Sequence, residues 1–187
     1  VIRANSPGGS PVQAKQIYAE MLRLRAKYPE KKLYALIEDL GASAAYLISC
    51  GADQIYSDEA SIVGSIGVIM ESFGLVDTMK KIGAERRLFY AGSNKAMLDP
   101  FSPQKPEHKV IIQNEIDLMD KLFVDLVKVS RGKRLKINNE TFSGRFWLGI
   151  EAKELGLIDG IGDVYTVAKD VIGAEELVEY EPKHSLL

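Results

Sequence analysis

The residues best suited to chemistry in this sequence are serines and a lysine that lie among glycines and other small residues. Ser43 stands in the stretch Ala42-Ser-Ala-Ala-Tyr46, where a predicted buried strand turns into a predicted helix. A serine nucleophile needs an exposed hydroxyl with small neighbours, and a helix N-terminus behind it favours negative charge. A serine that caps the helix among small packing residues fits the same letters. The stretch alone leaves both interpretations open.

The stretch Asn5-Ser-Pro-Gly-Gly9 follows a predicted strand and offers backbone donors. Because Gly8 and Gly9 have no Cβ, their neighbouring N–H groups can point into open space. Amides at such a junction can stabilise the negative charge that develops on a carbonyl oxygen during acyl transfer. A plain Pro-Gly turn is the alternative interpretation.

A serine nucleophile needs a base, and the chain contains only two histidines. His108 opens a predicted long helix, where we expect it to be solvated. His184 lies in the C-terminal tail, which we expect to be mobile. Neither has an evident third group to orient it, so a Ser-His-Asp triad has little support.

Lysine is the other candidate base, since partial burial can make it neutral near pH 7. Lys95 is the only lysine in the loop stretch Tyr90–Asp99, where apolar residues flank it. Ser65 begins a predicted strand between two glycines, and its hydroxyl could bind and orient a lysine ammonium. A solvated loop lysine and a serine bonded to the local backbone are the alternatives.

The elements that must position these residues alternate between strands and helices, which predicts an α/β fold with a mainly parallel sheet. The apolar patterns predict strands at 1–4, 33–37, 54–56, 65–70 and 86–90. They predict helices at 12–28, 44–50, 76–82, 107–131, 149–155 and 164–172.

Composition narrows the class of protein. The 187 residues favour a single domain, 1–187, and the net charge of −2 gives no reason to expect nucleic acid as a partner. One cysteine, Cys50, excludes a disulfide framework and a multi-cysteine metal site. The chain starts inside a predicted strand, so we expect it to be the C-terminal part of a longer protein whose N-terminal strands and membrane anchor are missing.

Six motifs in this order resemble the bacterial signal peptide peptidases, serine proteases of the SppA/SohB type in peptidase family S49. The similarity runs from Val1 to about Ile172. The matching stretches are Asn5–Gly9, Ala42–Tyr46, Val63–Val68, Gly92–Lys95, Gly144–Gly149 and Ala152–Asp159. This chain has Ala44-Ala45 where the family usually has two glycines, and the two added methyl groups would narrow the S1 region or shift the oxyanion amide.

The resemblance implies a crotonase-like fold of repeated ββα units with long C-terminal helices. It implies a Ser/Lys dyad in which Ser43 is the nucleophile, Lys95 is the general base and Ser65 orients the lysine. Gly8 or Gly9, together with the amide of Ala44, would form the oxyanion hole. No cofactor and no metal are implied, and an acyl-enzyme would form on peptides left from cleaved signal sequences.

The resemblance also implies a ring-like homo-oligomer with active sites near protomer interfaces. In that arrangement Lys95 would complete the site of a neighbouring protomer. The expected location is the cell envelope, anchored in the inner membrane through the missing region, with the catalytic domain on the outer side.

Other classes of protein remain open at this point. A Clp-type protease would need a histidine soon after Ser43, and none occurs before His108. A crotonase-like acyl-CoA enzyme would need a carboxylate near that position, for which Glu38 and Asp39 are candidates, although a strand end meeting solvent suits them better. A scaffold without activity is disfavoured by the serines and the lysine together.

Overall fold

The computed structural model describes residues 1–174 and 176–180 as a six-stranded, mostly parallel sheet with helices. The strands are β1 (Ile2–Ser6), β2 (Tyr34–Ala42), β3 (Gln54–Ser57), β4 (Ile62–Gly64), β5 (Phe146–Leu148) and β6 (Gly160–Ile161). The helices are α1 (Pro11–Lys27), α2 (Ala44–Ser49), α3 (Val76–Lys81), α4 (Pro106–Arg131), α5 (Gly149–Glu154) and α6 (Val164–Thr166). A 3₁₀ turn follows α4 at Gly132–Arg134, and a π-helical turn follows α6 at Val167–Ile172.

Strand β2 is the centre of the sheet and has neighbours on both edges. Residues 35–37 pair with β1 and with β3, while Gly41 pairs with Ser6 of β1 and with Val63 of β4. Because a strand has two edges, β1 runs along one of them and β3 and β4 follow each other along the other. All these pairs are parallel, and among the described strands β5 alone pairs antiparallel, with β4. Strand β2 ends at Ala42, so Ser43 follows directly at its carboxyl end.

The contacts divide the chain into two compact units, which we call the sheet unit and the lysine unit. The sheet unit comprises Val1–Ile66 and the chain from Leu126 onward, and the lysine unit is Gly67–Asp125. The sheet unit contains the buried core of β2, β3 and β4, with Ile37, Ile55 and Val63 at most 1% exposed. None of the helices in the described part of the chain is both long and apolar enough to cross a bilayer. The assignment of 1–187 to one catalytic domain stays a prediction.

The α/β class and the mainly parallel sheet are confirmed, and several element predictions are wrong. Residues 65–70 and 86–90 are not strands, because the strand ends at Gly64 and the second stretch has no paired neighbour in the described chain. The ββα repeats are not confirmed, and neither are the long C-terminal helices, since the described helices after α4 have six residues or fewer.

The two histidine expectations also differ in outcome. His108 is 6% exposed in the first turn of α4, so the expectation of a solvated residue is wrong. His184 lies outside the described residues.

Candidate functional site

Ser43 occupies a strained backbone position between the last residue of β2 and the first residue of α2. Its φ is 52° and its ψ is −124°, which L-residues rarely adopt. Among the described residues, Ser43 and Ser65 are the only non-glycine residues with positive φ. Such positions cost about 1–3 kcal/mol each and cluster at active sites. Both serines proposed for chemistry from the sequence, Ser43 and Ser65, thus carry this strain, and Lys95 does not.

Gly8 packs directly against this turn. A Cβ on Gly8 would lie 2.8 Å from the Cβ of Ser43 and 3.2 Å from the backbone nitrogen of Ala44. Its φ of +118° also disfavours any other residue. The Pro-Gly-Gly turn after β1 therefore approaches the Ser43 turn as closely as a backbone can, which explains why glycine is required there.

The backbone donors near Ser43 differ in their availability. The N–H of Gly8 donates to the hydroxyl of Ser6 at 3.2 Å. In the described chain, the N–H groups of Gly9 and Ala44 have no hydrogen-bond partner, and an ideal Cβ on Gly9 would have nothing within 4 Å. Of the two glycines that the sequence offered, Gly9 is the one with a free donor, and Gly8 is the one with the close packing.

Ser65 is tied to Ser43 through the backbone. The N–H of Ser43 donates to the carbonyl of Gly64 at 2.8 Å, and the N–H of Ser65 donates to the carbonyl of Arg145 at 3.0 Å. These bonds continue the pairing of β2 with β4 and of β4 with β5 past the ends of the strands. Among the described residues of the sheet unit, neither hydroxyl has a hydrogen-bond partner. Both are therefore free to bind other groups.

The motif Gly144–Gly149 packs against Gly64, the residue before Ser65. The guanidinium of Arg145 lies 4.1 Å from the ring centre of Trp147, and Trp147 is only 6% exposed. A Cβ on Gly64 would meet that ring at 3.0 Å. The indole therefore fills the space beside Gly64, which gives this motif a packing role next to Ser65.

Lys95 belongs to the lysine unit and is exposed there. Its backbone N–H donates to the carbonyl of Gly92 at 3.0 Å, which closes a tight turn. A cavity of about 510 Å³ beside it is lined mainly by its apolar neighbours: Leu88, Phe89, Tyr90, Ala91, Ala96 and Leu98. The side chain is thus accessible beside an apolar cleft.

A buried polar network in the sheet unit was missed by sequence reasoning. Arg131 is 1% exposed, and two of its nitrogens bind the two carboxylate oxygens of Asp159, each at 2.9 Å. Burial alone would raise the pKa of Asp159, but its hydrogen bonds and the charge of Arg131 outweigh burial and lower it. Burial raises the pKa of the nearby Cys50 thiol to about 11, as expected of a buried, unreactive cysteine. The spacing of Arg131 and Asp159 gave no signal for this pair.

The carboxylates suggested for an acyl-CoA enzyme already have partners. Glu38 accepts a hydrogen bond from Arg3 at 2.8 Å, and Asp39 accepts one from the amide of Asn5 at 3.0 Å. Both line a cavity of about 360 Å³ where β3 and β4 separate along β2. The partners assign both carboxylates a structural role between β1 and β2.

Comparison with known proteins identifies the family. Residues 25–177 match the sequence profile of peptidase family S49, which is most of the chain and includes Ser43, Ser65 and Lys95. This chain belongs to peptidase family S49. The family consists of serine-type peptidases, which are hydrolases, so the family predicted from the motifs is confirmed.

Two relatives of this S49 chain have names that describe a protease or a peptidase. It is 31% identical over 166 residues to Protease 4 of Salmonella typhi, covering 87% of this chain and 26% of that protein. It is 32% identical over 163 residues to a candidate signal peptide peptidase SppA of Enterococcus faecium, covering 87% of this chain and 46% of that protein.

A relative with a different name is more similar in sequence. The "Na(+)/H(+) antiporter NhaA" of Brucella melitensis is 44% identical over 190 residues. The match covers all of this chain and 25% of that protein. The S49 chain thus spans a quarter of the first relative's length and less than half of the SppA relative's.

Proposed function

We propose that this protein is a serine endopeptidase in which Ser43 is the nucleophile. The observation that carries the proposal is the strained, positive-φ backbone of Ser43 with Gly8 packed against it. Strain of this kind persists where the surrounding structure holds a side chain in a required direction. The direction that we propose for the Ser43 side chain is toward the scissile carbonyl of a bound peptide.

The proposed reaction proceeds in two steps. Lys95 removes the proton of the Ser43 hydroxyl, the oxygen attacks the peptide carbonyl, and the amine product leaves with a proton from Lys95. Lys95 then removes a proton from water, which attacks the acyl-enzyme ester. The proton passes to the Ser43 oxygen as the acid product leaves. The free N–H groups of Gly9 and Ala44 are the proposed donors to the oxyanion, and Ser65 is the proposed partner that orients the Lys95 ammonium.

The proposed substrates are membrane-derived peptides such as cleaved signal peptides. We further propose that the protein is a ring-like homo-oligomer whose Lys95 completes a neighbour's site, anchored in the inner membrane with this domain on the outer side. The exposure of large apolar side chains in the lysine unit supports association, because burying such side chains against another chain is favourable. Examples are Ile69, Phe73 and Phe89, at 82%, 80% and 93% exposed.

Cleavage of a fluorogenic peptide series tests the dyad. We expect Ser43→Ala to lose about 10⁵-fold or more in kcat/KM, as in other serine proteases. Lys95→Ala should lose a comparable factor because the hydroxyl then lacks its base, while the control Lys105→Ala should retain full activity. Near-normal activity of Lys95→Ala would exclude the dyad, and near-normal activity of Ser43→Ala would exclude the whole assignment.

Mixing the two inactive variants tests where Lys95 acts. If Lys95 completes a neighbour's site, oligomers that contain both variants recover part of the activity, because some sites then combine an intact serine with an intact lysine. If both residues act within one chain, no mixture regains activity.

A further inference from the structure

We propose that Tyr46 is a positioning residue whose hydroxyl holds the first turn of α2, and with it the N–H of Ala44, in the orientation that oxyanion stabilisation needs. The proposal rests on the proposed function of Ser43. Tyr46 would act through the backbone of α2 and would not itself touch the substrate.

The hydroxyl of Tyr46 donates a well-formed hydrogen bond deep in the protein. Tyr46 is 0% exposed, and its Oη donates to the carbonyl of Leu157 at 2.7 Å. Burial raises the pKa of this phenol well above its ordinary value, so the proton stays on the oxygen and the bond persists across the working pH range. The contact joins α2 to a segment 111 residues further along the chain.

Hydrogen bonds fix the chain before and after the amide of Ala44. On one side, the N–H of Ser43 donates to Gly64 at 2.8 Å. On the other side, Tyr46 is held to Leu157. The helix has only six residues, and the Ser43 side chain makes no capping bond, so these two contacts add to the few that orient its first turn. A donor to a developing oxyanion must be oriented before the reaction, since reorientation during it would raise the barrier.

The acceptor carbonyl is itself fixed. The N–H of Leu157 donates to the carbonyl of Ala152 at 2.8 Å. The Nε of Arg131 donates to the carbonyl of the preceding residue, Gly156, at 2.8 Å, and the same guanidinium binds Asp159. Arg131 thereby fixes the chain on both sides of Leu157, at Gly156 and at Asp159. The bond from Tyr46 to the Leu157 carbonyl joins α2 to this fixed segment.

The test compares Tyr46→Phe with wild type, using the same peptides and a peptide boronate that forms a tetrahedral adduct with the serine. Active sites are counted with an irreversible phosphonate. We expect kcat per active site to fall about tenfold to a hundredfold with KM unchanged, because only transition-state stabilisation is lost. The affinity for the boronate should fall by the same factor.

The matched control is Ser49→Ala. It removes another fully buried hydroxyl from the same helix, one that donates to Ala45 within α2 at 3.0 Å and does not reach another element. We expect this variant to keep the wild-type kcat. Asp159→Asn, which loosens the segment that carries the Leu157 carbonyl, should lower kcat in the same way as Tyr46→Phe but less.

The outcomes separate the two proposals. If Tyr46→Phe only lowers the melting temperature while kcat and boronate affinity stay within twofold of wild type, the positioning role is wrong and the nucleophile assignment stands. If Tyr46→Phe does not fold, an unchanged kcat in Asp159→Asn overturns the positioning role instead. If Ser43→Ala remains active, the proposed function fails and this inference fails with it.

Discussion

The sheet unit and the lysine unit hold their candidate residues in opposite ways. Ser43 and Ser65 follow the ends of buried strands, and backbone hydrogen bonds to neighbouring strands fix both. In the lysine unit, no residue from 67 to 107 is buried, and Lys95 is exposed. The serine side is therefore determined by its own core, whereas residues 67–107 around Lys95 contribute no buried side chain that could fix the lysine.

This difference bears on how a two-residue site can be assembled. A side chain that acts as a base must be held within a few tenths of an ångström of the productive position. The exposed apolar residues of the lysine unit are available to supply that support through contacts with other chains. The comparison predicts that mutations in the sheet unit disturb folding, and that mutations in the lysine unit disturb association.

The largest effect on folding is expected from Arg131→Met. The change leaves the Asp159 carboxylate buried without its main partner, which costs about 3–5 kcal/mol in the free energy of unfolding. The control is Lys80→Met, since Lys80 pairs with Asp77 at 3.1 Å on an exposed helix face. Urea unfolding measures both. Equal destabilisation by the two changes would contradict the contrast between the units.

Gly8→Ala comes next. The added methyl group would lie 2.8 Å from the Cβ of Ser43 and would force the two turns apart. We expect a loss of about 10²-fold in kcat, comparable to the loss of one oxyanion donor. Gly83→Ala, whose added Cβ meets nothing within 4 Å although its φ is +70°, should affect stability but not kcat. An unaltered kcat in Gly8→Ala would show that activity does not depend on the close packing of Gly8 against Ser43.

The acid stability of the sheet unit should depend on Asp159. Its pKa is lowered on folding from an ordinary value of 3.8, so it contributes stability that is fully present above that value. The contribution is lost as pH falls through the lower pKa of the folded protein, because the protonated carboxyl no longer attracts Arg131 as strongly. We expect wild type to exceed Asp159→Asn in stability at pH 7 and the gap to narrow below about pH 4. A gap that does not change with pH would rule out this source of stability.

The smallest effect on folding is expected from Phe89→Ser. Phe89 is 93% exposed, so loss of its ring should change the free energy of unfolding by no more than about 0.5 kcal/mol. If the lysine unit mediates association, sedimentation should show a smaller assembly. An assembly of unchanged size, together with unchanged stability, would mean that this residue has no role in contacts between chains.

Motifs and periodicity predicted the parts of the fold that depend on local sequence. The helix 12–28 and the turn from β2 into α2 at Ser43 are close to the predictions, because apolar spacing and small residues determine them. The stretch 86–90, which ends in Leu88, Phe89 and Tyr90, resembles a strand equally well, but a strand forms only where a partner is within reach. The burial of His108 follows from tertiary packing that no local pattern encodes.

The candidate site shows the same division. The sequence offered Gly8 and Gly9 without distinction, and only the bond from Gly8 to Ser6 and the contact of Gly8 with Ser43 separate their roles. The tether from Tyr46 to Leu157 and the pair of Arg131 with Asp159 join residues far apart in the chain. Contacts of this kind depend on the path of the whole chain, so spacing alone does not reveal them.

The backbone of Ser43 also sets a trade-off between stability and activity. Glycine adopts positive φ without steric cost, so Ser43→Gly would release strain of about 1–3 kcal/mol while removing the proposed nucleophile. The inactive chain would then be more stable than the active one. Random mutagenesis screened only for thermal stability would accordingly favour the loss of Ser43, and a screen that also requires cleavage would retain it.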